Sequence, residues 1–480
     1  MPPDRTRKDF RVPVSAGQST ADLSATELLT AYRTGDLSPV EATRDALDRI
    51  ARLDARVNAF CLVDEAGALA SAAESEERWR RGTPRGVLDG VPTSIKDILL
   101  TVGWPTRRGS ATTDPTPGDV DGPPVARVRE QGAVLIGKTT TPELAWKGVT
   151  DSPLTGVTGN PWNPALTAGG SSGGSATAVG LGMGALSLGT DGGGSVRIPA
   201  GFTGTVAHKP TYGRVPHHPA SPFGTLAHVG PMTRTVADAA LLLDVISGFD
   251  ARDAWALDAA PRTCTAALGD GVAGLRIALS PTLGFAEVDD EVRAAVEAAA
   301  AVFTTLGATV EHADPGFADP VEPFETLWFA GAAKSMEALG RDQRATMDPG
   351  LVEIAEQGAR YSAIEYLTAM AVRNDLGTLM GAFHQRWDLL LTPTLPIVAF
   401  EGGRESPDGR RWTTWTPFTY PFNMTQQPAA SVPCGFTAAG LPVGLQIVGP
   451  RHADARVLAA AHAFEQATDH HLRRPPLLQG

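Results

Sequence analysis

The 480-residue chain is poor in cysteine, in positive charge and in long apolar runs. Its three cysteines, Cys61, Cys264 and Cys434, are too few and too far apart for a disulfide framework or a zinc site, which favours a reducing compartment. The 41 Lys and Arg residues against 53 Asp and Glu leave a net charge of -12, which excludes a basic surface for nucleic acid or anionic membrane. No run of about 18 apolar residues and no apolar signal core near the N-terminus is present. We therefore expect a cytoplasmic protein with no nucleic-acid or membrane partner.

Glycine, by contrast, is abundant and unevenly distributed. Thirteen of the 52 glycines lie between Gly169 and Gly204, in less than a tenth of the chain. Hydrophobic residues make up 42% of the chain and charged residues 20%, which is enough apolar material for a large core and excludes global disorder. The local cluster of glycines therefore needs an explanation of its own.

Signals for helices and strands alternate along the whole chain. Ser24 with Glu27, and Ser38 with Glu41, are capping boxes that predict two N-terminal helices. Apolar runs predict strands near 133–136, 388–392 and 443–448, and amphipathic patterns predict helices near 235–247, 292–306 and 454–467. This interleaving predicts an α/β fold with a β-sheet covered by helices on both faces. No linker or repeat divides the chain, so we expect a single domain over 1–480.

The stretch 132–139, GAVLIGKT, fits the P-loop pattern of nucleotide-binding proteins. That pattern binds phosphates only where a glycine-rich loop curls around them and a helix follows. Here the central residues AVLI favour a buried strand, and Thr-Thr-Pro follows in place of a helix. We interpret this stretch as a core strand that ends at Gly137.

The stretch 169–173, GGSSG, fits the nucleophile elbow of α/β-hydrolases. The elbow requires a strand directly before its serine, whereas NPWNPALTA, with two prolines, precedes this one. A Ser-His-Asp esterase would also need an acid and a base such as Asp388 with His452 or His462. This esterase stays as an alternative function.

Three segments together form a chemically consistent set: 91–97, 169–176 and 189–200. Taken singly, they can be a surface lysine, a flexible linker and a tight turn. Taken together, three glycines before Ser195 let backbone N–H groups converge on a developing oxyanion, because no Cβ stands in the way. Lys96 lies among apolar residues, where burial favours its free amine, and Ser171 can relay a proton between the two. The residues thus predict Ser195 as nucleophile, Ser171 as relay and Lys96 as base.

These segments resemble the amidase signature family, whose hallmark is a Ser–cis-Ser–Lys triad. The two serines are 24 residues apart, and the lysine lies 75 residues before the first of them. The resemblance covers most of the chain and includes KDILLTVGWPTRRGS, GAVLIGKTTTPELA, NPWNP, KPTYGRVP, GPMTRTVADAALLLDVISG, DLLLTPTLP and YPFNMTQQPAASVPCGFTAAGLPVGLQIVGP. It implies the amidase signature fold, in which the β-sheet is large, twisted and mixed, with N-terminal helices at about 20–80, a signature core at about 90–235 and a variable substrate-lining region at about 310–420.

The family resemblance also implies roles for individual residues. Ser195 is the expected nucleophile, Ser171 the relay with a cis peptide link to Gly170, and Lys96 the neutral general base. No cofactor and no metal are expected. The backbone N–H groups expected to form the oxyanion hole are those of Gly192, Gly193, Gly194 and Ser195.

Three neighbours are expected to support this triad. Ser172 is expected to hydrogen-bond Lys96, and Asp191 to pair with Arg197, unless these two form an ordinary surface salt bridge. Two positions depart from the family pattern. Gly192 stands where a larger residue is common, which predicts a looser hole or a wider pocket. Gln426 replaces a frequent glycine and is expected to add a polar group near the substrate.

The substrate is less well defined than the triad. The chemistry suits small or aromatic amides, anilides, esters and carbamates (urethanes), and the pocket is expected within 141–155, 217–225, 320–366 and 404–422. The candidate pocket residues are Trp328, Trp415, Phe418 and Gln426, with Phe329 and Trp412 as further members of an aromatic wall, although most such residues fill a core.

Two other functions of the same fold stay open. The glutamine-hydrolysing subunit of a tRNA-dependent amidotransferase normally has a serine-rich segment ending in SSLDQ, where this chain has PHHPASPFGTLAHVGPM. A non-catalytic binding relative is disfavoured because Lys96, Ser171 and Ser195 are all present. We expect the protein to form a homodimer.

Overall fold

The computed structural model describes residues 19–479. Thirteen strands occur within them: β1 (Phe60–Val63), β2 (Pro92–Lys96), β3 (Val134–Thr139), β4 (Asp151–Ser152), β5 (Gly156–Val157), β6 (Leu186–Asp191), β7 (Val206–Lys209), β8 (His228–Thr233), β9 (Arg276–Leu279), β10 (Thr309–His312), β11 (Leu389–Pro393), β12 (Ala429–Phe436) and β13 (Pro442–Val448). Eleven of them form one sheet in the order β1-β3-β2-β6-β8-β7-β12-β13-β11-β9-β10, and β4 pairs with β5.

The α-helices of this part of the chain are α1 (Ala25–Thr34), α2 (Pro39–Val57), α3 (Glu65–Arg80), α4 (Pro123–Glu130), α5 (Gly173–Gly180), α6 (Arg197–Thr203), α7 (Val236–Ile246), α8 (Cys264–Ala267), α9 (Asp290–Thr305), α10 (Val321–Ser335), α11 (Arg341–Arg344), α12 (Pro349–Gly358), α13 (Ala363–Phe383), α14 (Tyr420–Met424) and α15 (Asp454–Gln466). None of the helices within residues 19–479 is both long and apolar enough to cross a membrane.

The two predicted N-terminal helices are confirmed, including their caps. At the start of α1, Ser24 Oγ accepts the Glu27 amide and the Glu27 carboxylate accepts the Ser24 amide. Ser38 and Glu41 form the same reciprocal box at the start of α2. Each box satisfies N–H groups that have no partner within the helix, so both helix starts are encoded locally.

The sheet is mixed, as predicted. β2 runs parallel to β3 and to β6, whereas β6, β8, β7, β12 and β13 pair antiparallel in succession. Every residue of β2, β3, β6 and β8 is buried. Because successive side chains of a strand point to opposite faces, these strands are covered on both faces. The fold is therefore α/β with a large mixed sheet between layers of helices.

The P-loop-like stretch is the core strand β3, in agreement with our interpretation, but the strand continues to Thr139 and does not end at Gly137. All six residues of β3 are buried, and only a short 3-10 turn at Glu143–Ala145 follows it. The Lys138 amine donates to the carbonyl oxygen of Leu99 at 2.7 Å and to the hydroxyl of Thr106 at 2.9 Å. The amine of Lys138, the lysine of the P-loop pattern, therefore binds protein oxygens in place of a phosphate group.

Candidate active site

Lys96 is the last residue of β2, which lies between β3 and β6 in the sheet. Because β2 and β6 are parallel, their carboxyl ends reach the same edge of the sheet, where β6 ends at Asp191. The Lys96 side chain is fully buried, and this burial lowers its pKa well below the usual 10.5, although the charge of Asp191 opposes the shift. Burial disfavours the ammonium form, so Lys96 is suited to act as a neutral base.

Two hydroxyl groups contact the Lys96 amine. Nζ lies 2.7 Å from Oγ of Ser171 and 2.8 Å from Oγ1 of Thr190. The expected hydrogen bond from Ser172 to Lys96 is wrong, because the Ser172 hydroxyl donates to the Thr190 carbonyl oxygen at 3.1 Å. Thr190 takes that place because it lies near the end of β6, the strand that pairs with β2.

Ser171 lies two residues before helix α5 and is the link between Lys96 and the turn at Ser195. The peptide bond between Gly170 and Ser171 is cis, as the family resemblance implied. A Cβ at Gly170 would lie 2.5 Å from the Val149 carbonyl group, so this position has room only for glycine. The backbone N–H of Ser172 donates to the Ser195 carbonyl oxygen at 3.1 Å, which ties the two serine-bearing segments together.

The esterase alternative is not supported by this geometry. Within residues 19–479 no strand lies between β5 and α5, so Ser171 does not follow a strand as a nucleophile elbow requires. The hydroxyl partner of Ser171 is Lys96 rather than a histidine. Asp388, the acid that this alternative needs, forms an ion pair with Arg456 at 2.8 Å.

Three backbone N–H groups at the nucleophile are free. Among the described residues, no hydrogen bond involves the amides of Gly192, Gly193 or Ser195. The Gly194 amide donates to Oδ1 of Asp191 at 2.8 Å, so its prediction as an oxyanion donor is wrong. Gly194 has φ of 132°, a value that side chains rarely allow, and this sharp turn directs its N–H to Asp191. The predicted oxyanion hole is thereby reduced to three donors.

The turn rests on the predicted ion pair between Asp191 and Arg197, which is confirmed. Arg197 donates from Nη2 and Nε to the two carboxylate oxygens at 2.9 and 3.0 Å, and both side chains are fully buried. Burial raises the pKa of Asp191, but the charge and hydrogen bonds of Arg197 more than offset it and hold the pKa below its usual range. Arg197 also donates to Gln446 at 2.8 Å and to Asn423 at 2.6 Å. This buried network holds the turn that carries Ser195.

A cavity of about 560 Å³ opens beside Ser195. Ser171, Thr190 and Gly192 also line it, so the two serines of the predicted triad and one of the glycines with a free amide border a common space. The apolar part of the wall consists of Ile98, Leu99, Leu144, Ala145, Pro219, Ala220, Pro222, Phe223, Ala227 and Trp328. The polar part consists of Arg108, His217, His218, Ser221, Lys334 and Ser335.

Trp328 is the central aromatic residue of this wall. Its ring stacks on Phe223 with 3.9 Å between the centroids, and its indole N–H donates to the Trp146 carbonyl oxygen at 2.9 Å. A Cβ at Gly192 would lie 2.8 Å from the Trp328 ring. The expectation that Gly192 widens the pocket is therefore corrected: Trp328 occupies the space that a larger residue at 192 would need.

A profile of the family described as Amidase matches residues 41–458. The chain belongs to this family. It is 38% identical to an acylamidase of Rhodococcus erythropolis over 453 residues, which cover 92% of this chain and 95% of the relative. It is 39% identical to a Glutamyl-tRNA(Gln) amidotransferase subunit of Myxococcus xanthus over 488 residues, covering 95% and 99%.

The fold of this amidase is also similar to that of solved family members. A bacterial aryl acylamidase of the amidase signature family superposes with a TM-score of 0.88 at 34% identity, covering 94% of this chain and 99% of that one. The α/β fold with its large mixed sheet is thus the amidase signature fold. The protein is an amidohydrolase.

Three of the predicted pocket residues lie away from the cavity of the amidase. Trp415 stacks on Phe202 with 5.6 Å between centroids, and Phe418 is fully buried in the core. Gln426 lines a separate cavity next to α13. Its φ of 62° lies in the left-handed region, which explains why glycine is frequent at this position. Of the four pocket candidates, only Trp328 lines the cavity beside Ser195.

Sequence reasoning missed Thr190, Asn423 and Gln446. Asn423 and Gln446 lie 226 and 249 residues from Arg197, so no spacing could connect them with it. A signal was nevertheless present for Gln446. It is the one polar side chain in the otherwise apolar strand PVGLQIV, and a buried amide in such a strand requires hydrogen-bond partners.

Within residues 19–479 no group of three or more His, Cys, Asp and Glu side chains is placed to hold a metal ion. His217, His218 and His228 do not form such a group.

Proposed function

We propose that this amidase hydrolyses small acyl arylamides, with Ser195 as nucleophile, Ser171 as proton relay and Lys96 as general base. The observation that carries the proposal is the fully buried Lys96 amine, 2.7 Å from the hydroxyl of Ser171, at a cavity that Ser171 and Ser195 share. A serine hydroxyl needs such a base to become a nucleophile.

In the acylation step, Ser195 Oγ attacks the amide carbon while its proton passes to Ser171, whose own proton passes to Lys96. The carbonyl oxygen gains negative charge and accepts hydrogen bonds from the free amides of Gly192, Gly193 and Ser195. Collapse of this intermediate breaks the C–N bond, and the relay returns a proton to the leaving nitrogen. The amine departs and Ser195 carries the acyl group as an ester.

Deacylation repeats these steps with water as the nucleophile. Water gives its proton to Ser171 and Lys96 as it attacks the ester, and the same three amides hold the oxyanion. The C–O bond to Ser195 breaks, Ser195 recovers its proton and the carboxylic acid leaves. The cycle consumes one amide and one water, and it restores Lys96 to the free amine.

The cavity wall supports an aromatic substrate rather than glutamine. Trp328 and Phe223 offer a stacked aromatic surface next to Gly192. No Asp or Glu is among the residues of the described chain that line this cavity, so the α-ammonium group of glutamine would lack a carboxylate partner. Similarity to an acylamidase and to an aryl acylamidase supports the same substrate class.

The same acyl-enzyme chemistry extends to aryl esters and aryl carbamates, so a urethanase activity is a second candidate. A cytoplasmic location and a homodimeric assembly stay predictions of the sequence.

A hydrolysis panel with active-site labelling tests the proposal. We expect the wild-type protein to hydrolyse p-nitroacetanilide and related anilides, and a fluorophosphonate to label Ser195. Ser195→Ala removes the nucleophile, so both activity and label should disappear while the melting temperature stays near that of wild type. Thr265→Ala, an exposed threonine far along the chain, serves as the control for mutation as such.

Activity that persists in Ser195→Ala would contradict the assignment of the nucleophile. Hydrolysis of glutamine in preference to every anilide would instead favour the amidotransferase function.

A further inference from the structure

We propose that Arg108 makes this amidase selective for acyl arylamides that carry a carboxylate, and that its guanidinium binds this group in the catalytic cavity. The inference rests on the proposed function and specifies its substrate class. Arg108 lines the cavity together with Ser195, Ser171 and Trp328.

The guanidinium of Arg108 has no partner of its own. Within residues 19–479, no hydrogen bond or ion pair involves its side chain, and its carbonyl oxygen alone is engaged, by the Leu144 amide at 2.8 Å. The neighbouring Arg107 differs, because its guanidinium donates to Thr113 and to the Ser110 carbonyl oxygen, both at 3.4 Å. Lys334, the other cation of the wall, forms an ion pair with Glu337. A guanidinium without partners at a substrate cavity is a site for a planar anion.

Asp97, the acidic group whose charge acts on Arg108, does not neutralise it by contact. Asp97 lies 3.4 Å from the Lys138 amine and accepts the Arg107 backbone N–H at 3.1 Å. Burial lowers the pKa of Arg108 while the charge of Asp97 opposes this, and a guanidinium starts from so high a pKa that it stays charged. The cavity wall thus carries a positive charge, and no Asp or Glu of the described chain lines it.

The backbone also holds Arg108 in an unusual conformation. Arg108, Leu144 and Ala145 have φ values of 53°, 50° and 59°, and all three line the cavity. Non-glycine residues in this left-handed region each cost about 1–3 kcal/mol and persist where the surrounding structure over-determines them, typically at binding sites. The hydrogen bond from the Leu144 amide to the Arg108 carbonyl joins the two strained segments. The position of Arg108 in the wall is therefore built into the fold.

The test compares substrates that differ only in charge. The carboxylate stands on the ring in 4-acetamidobenzoate, with 4-acetamidobenzamide as the neutral match. It stands on the acyl group in N-phenylsuccinamate, with N-phenylsuccinamide as the match. We expect wild type to prefer the carboxylate of at least one pair by about tenfold or more in kcat/KM, since a hydrogen-bonded charge contributes that much. The pair that shows the preference identifies which side of the scissile bond faces Arg108.

Three variants test whether Arg108 causes the preference for the carboxylate substrate. Arg108→Gln should lose about ten- to a hundredfold in kcat/KM on the preferred carboxylate, mainly through KM, and stay within about threefold of wild type on the neutral match. Arg108→Lys keeps the charge without the planar fork and should retain part of the preference. Arg107→Gln, whose side chain does not line the cavity, should behave as wild type. Melting temperatures verify that each variant is folded.

The proposal would be overturned if wild type hydrolysed both members of both pairs at equal rates. It would also be overturned if Arg108→Gln lost activity equally on the charged and the neutral member of a pair. Either result would leave the proposed anilide hydrolysis itself standing. The same compounds are also scored by protection of Ser195 from a fluorophosphonate, which requires binding but no turnover. If no anilide is hydrolysed and Ser195 is not labelled, the proposed function itself fails.

Discussion

At the scale of single residues, the amine of Lys96 contacts two hydroxyl groups, and no charged group lies within hydrogen-bond distance of it among the described residues. An ammonium ion in this place would lose its hydration without an ionic partner, so the folded protein favours the free amine. The catalytic role that we propose for Lys96 and the stability of the fold therefore both depend on the protonation of this one side chain.

We predict that Lys96→Met reduces kcat near neutral pH by about 10²–10⁴, the usual contribution of a general base. In wild type the activity should fall as the pH drops through the lowered pKa of Lys96, because the protonated amine accepts no proton from Ser171. A kcat/KM profile measured against pH should show this acid limb in wild type and not in the variant. An acid limb that survives in Lys96→Met would show that another group is the base.

The same variant has a stability signature with a definite sign. Between the lowered pKa of folded Lys96 and the usual 10.5, the unfolded chain binds one more proton than the folded one. Wild-type stability therefore rises with pH in this window. Lys96→Met lacks the titrating group, so its unfolding free energy relative to wild type should decrease from neutral pH toward pH about 10 in urea denaturation.

At the scale of elements, the turn from β6 to α6 depends on one carboxylate. Asp191 accepts hydrogen bonds from the backbone N–H groups of Gly194 and Val196 and from Nε and Nη2 of Arg197. Asn423 on α14 donates to it as well, at 2.8 Å. The nucleophile, the free amides and the start of α6 thus share one buried support.

We predict that Asp191→Asn lowers the free energy of unfolding by about 3–5 kcal/mol, because it leaves the fully buried Arg197 without its counter-charge. Urea denaturation measures the change. The matched control is Asp388→Asn, which weakens the partly exposed pair with Arg456 and should cost about 1 kcal/mol or less. Equal effects of the two substitutions would contradict a special role of the buried network.

The sequence was most informative about individual helices and strands. The capping boxes at Ser24 and Ser38 predicted both helix starts, since a cap acts within three residues. The P-loop-like stretch was correctly predicted as strand β3, because its own apolar residues favour a buried strand. The helices α10, α12 and α13 were predicted only as a variable region, although α13 begins with a capping box of Ser362 and Glu365, a local signal that our prediction did not use.

At the scale of the whole molecule, two buried carboxylates join helices that are far apart in the chain. Asp238 on α7 accepts the amides of Ala25 and Thr26 at the start of α1, at 2.8 and 3.0 Å. Glu465 on α15 accepts the Val236 amide at the start of α7, at 2.8 Å. Burial raises the pKa of Glu465 to about 8, the hydrogen bond from Val236 lowers it in part, and the charge of Asp238 raises it further.

The free energy of unfolding of wild type should fall as the pH rises from about 5 to 8. We predict that Glu465→Gln abolishes this fall. In this window folded Glu465 keeps a proton that the unfolded chain has released, so wild-type stability falls as the pH rises, by up to about 1.4 kcal/mol per pH unit. The glutamine can still accept the Val236 amide and does not titrate. Its unfolding free energy relative to wild type should therefore increase from pH 5 to pH 8.

Glu322→Gln, an exposed position of α10, is the control and should leave the pH dependence unchanged. A constant difference between Glu465→Gln and wild type over this range would show that Glu465 is already ionised in the folded protein.

By itself the sequence predicted the three side chains that we propose as catalytic and the glycine-rich turn before Ser195, and its resemblance to the amidase signature family predicted the mixed α/β sheet. The turn follows from residue type and from contacts within a few positions, and the rest follows from motifs along the chain. Only the tertiary structure decided that Thr190 rather than Ser172 contacts Lys96, that the Gly194 amide binds Asp191, and that Trp328 fills the space beside Gly192. Each of these outcomes is a competition between groups for one donor or one volume. Such competition is settled by distances between residues that the chain brings together from far apart, and no local pattern encodes them.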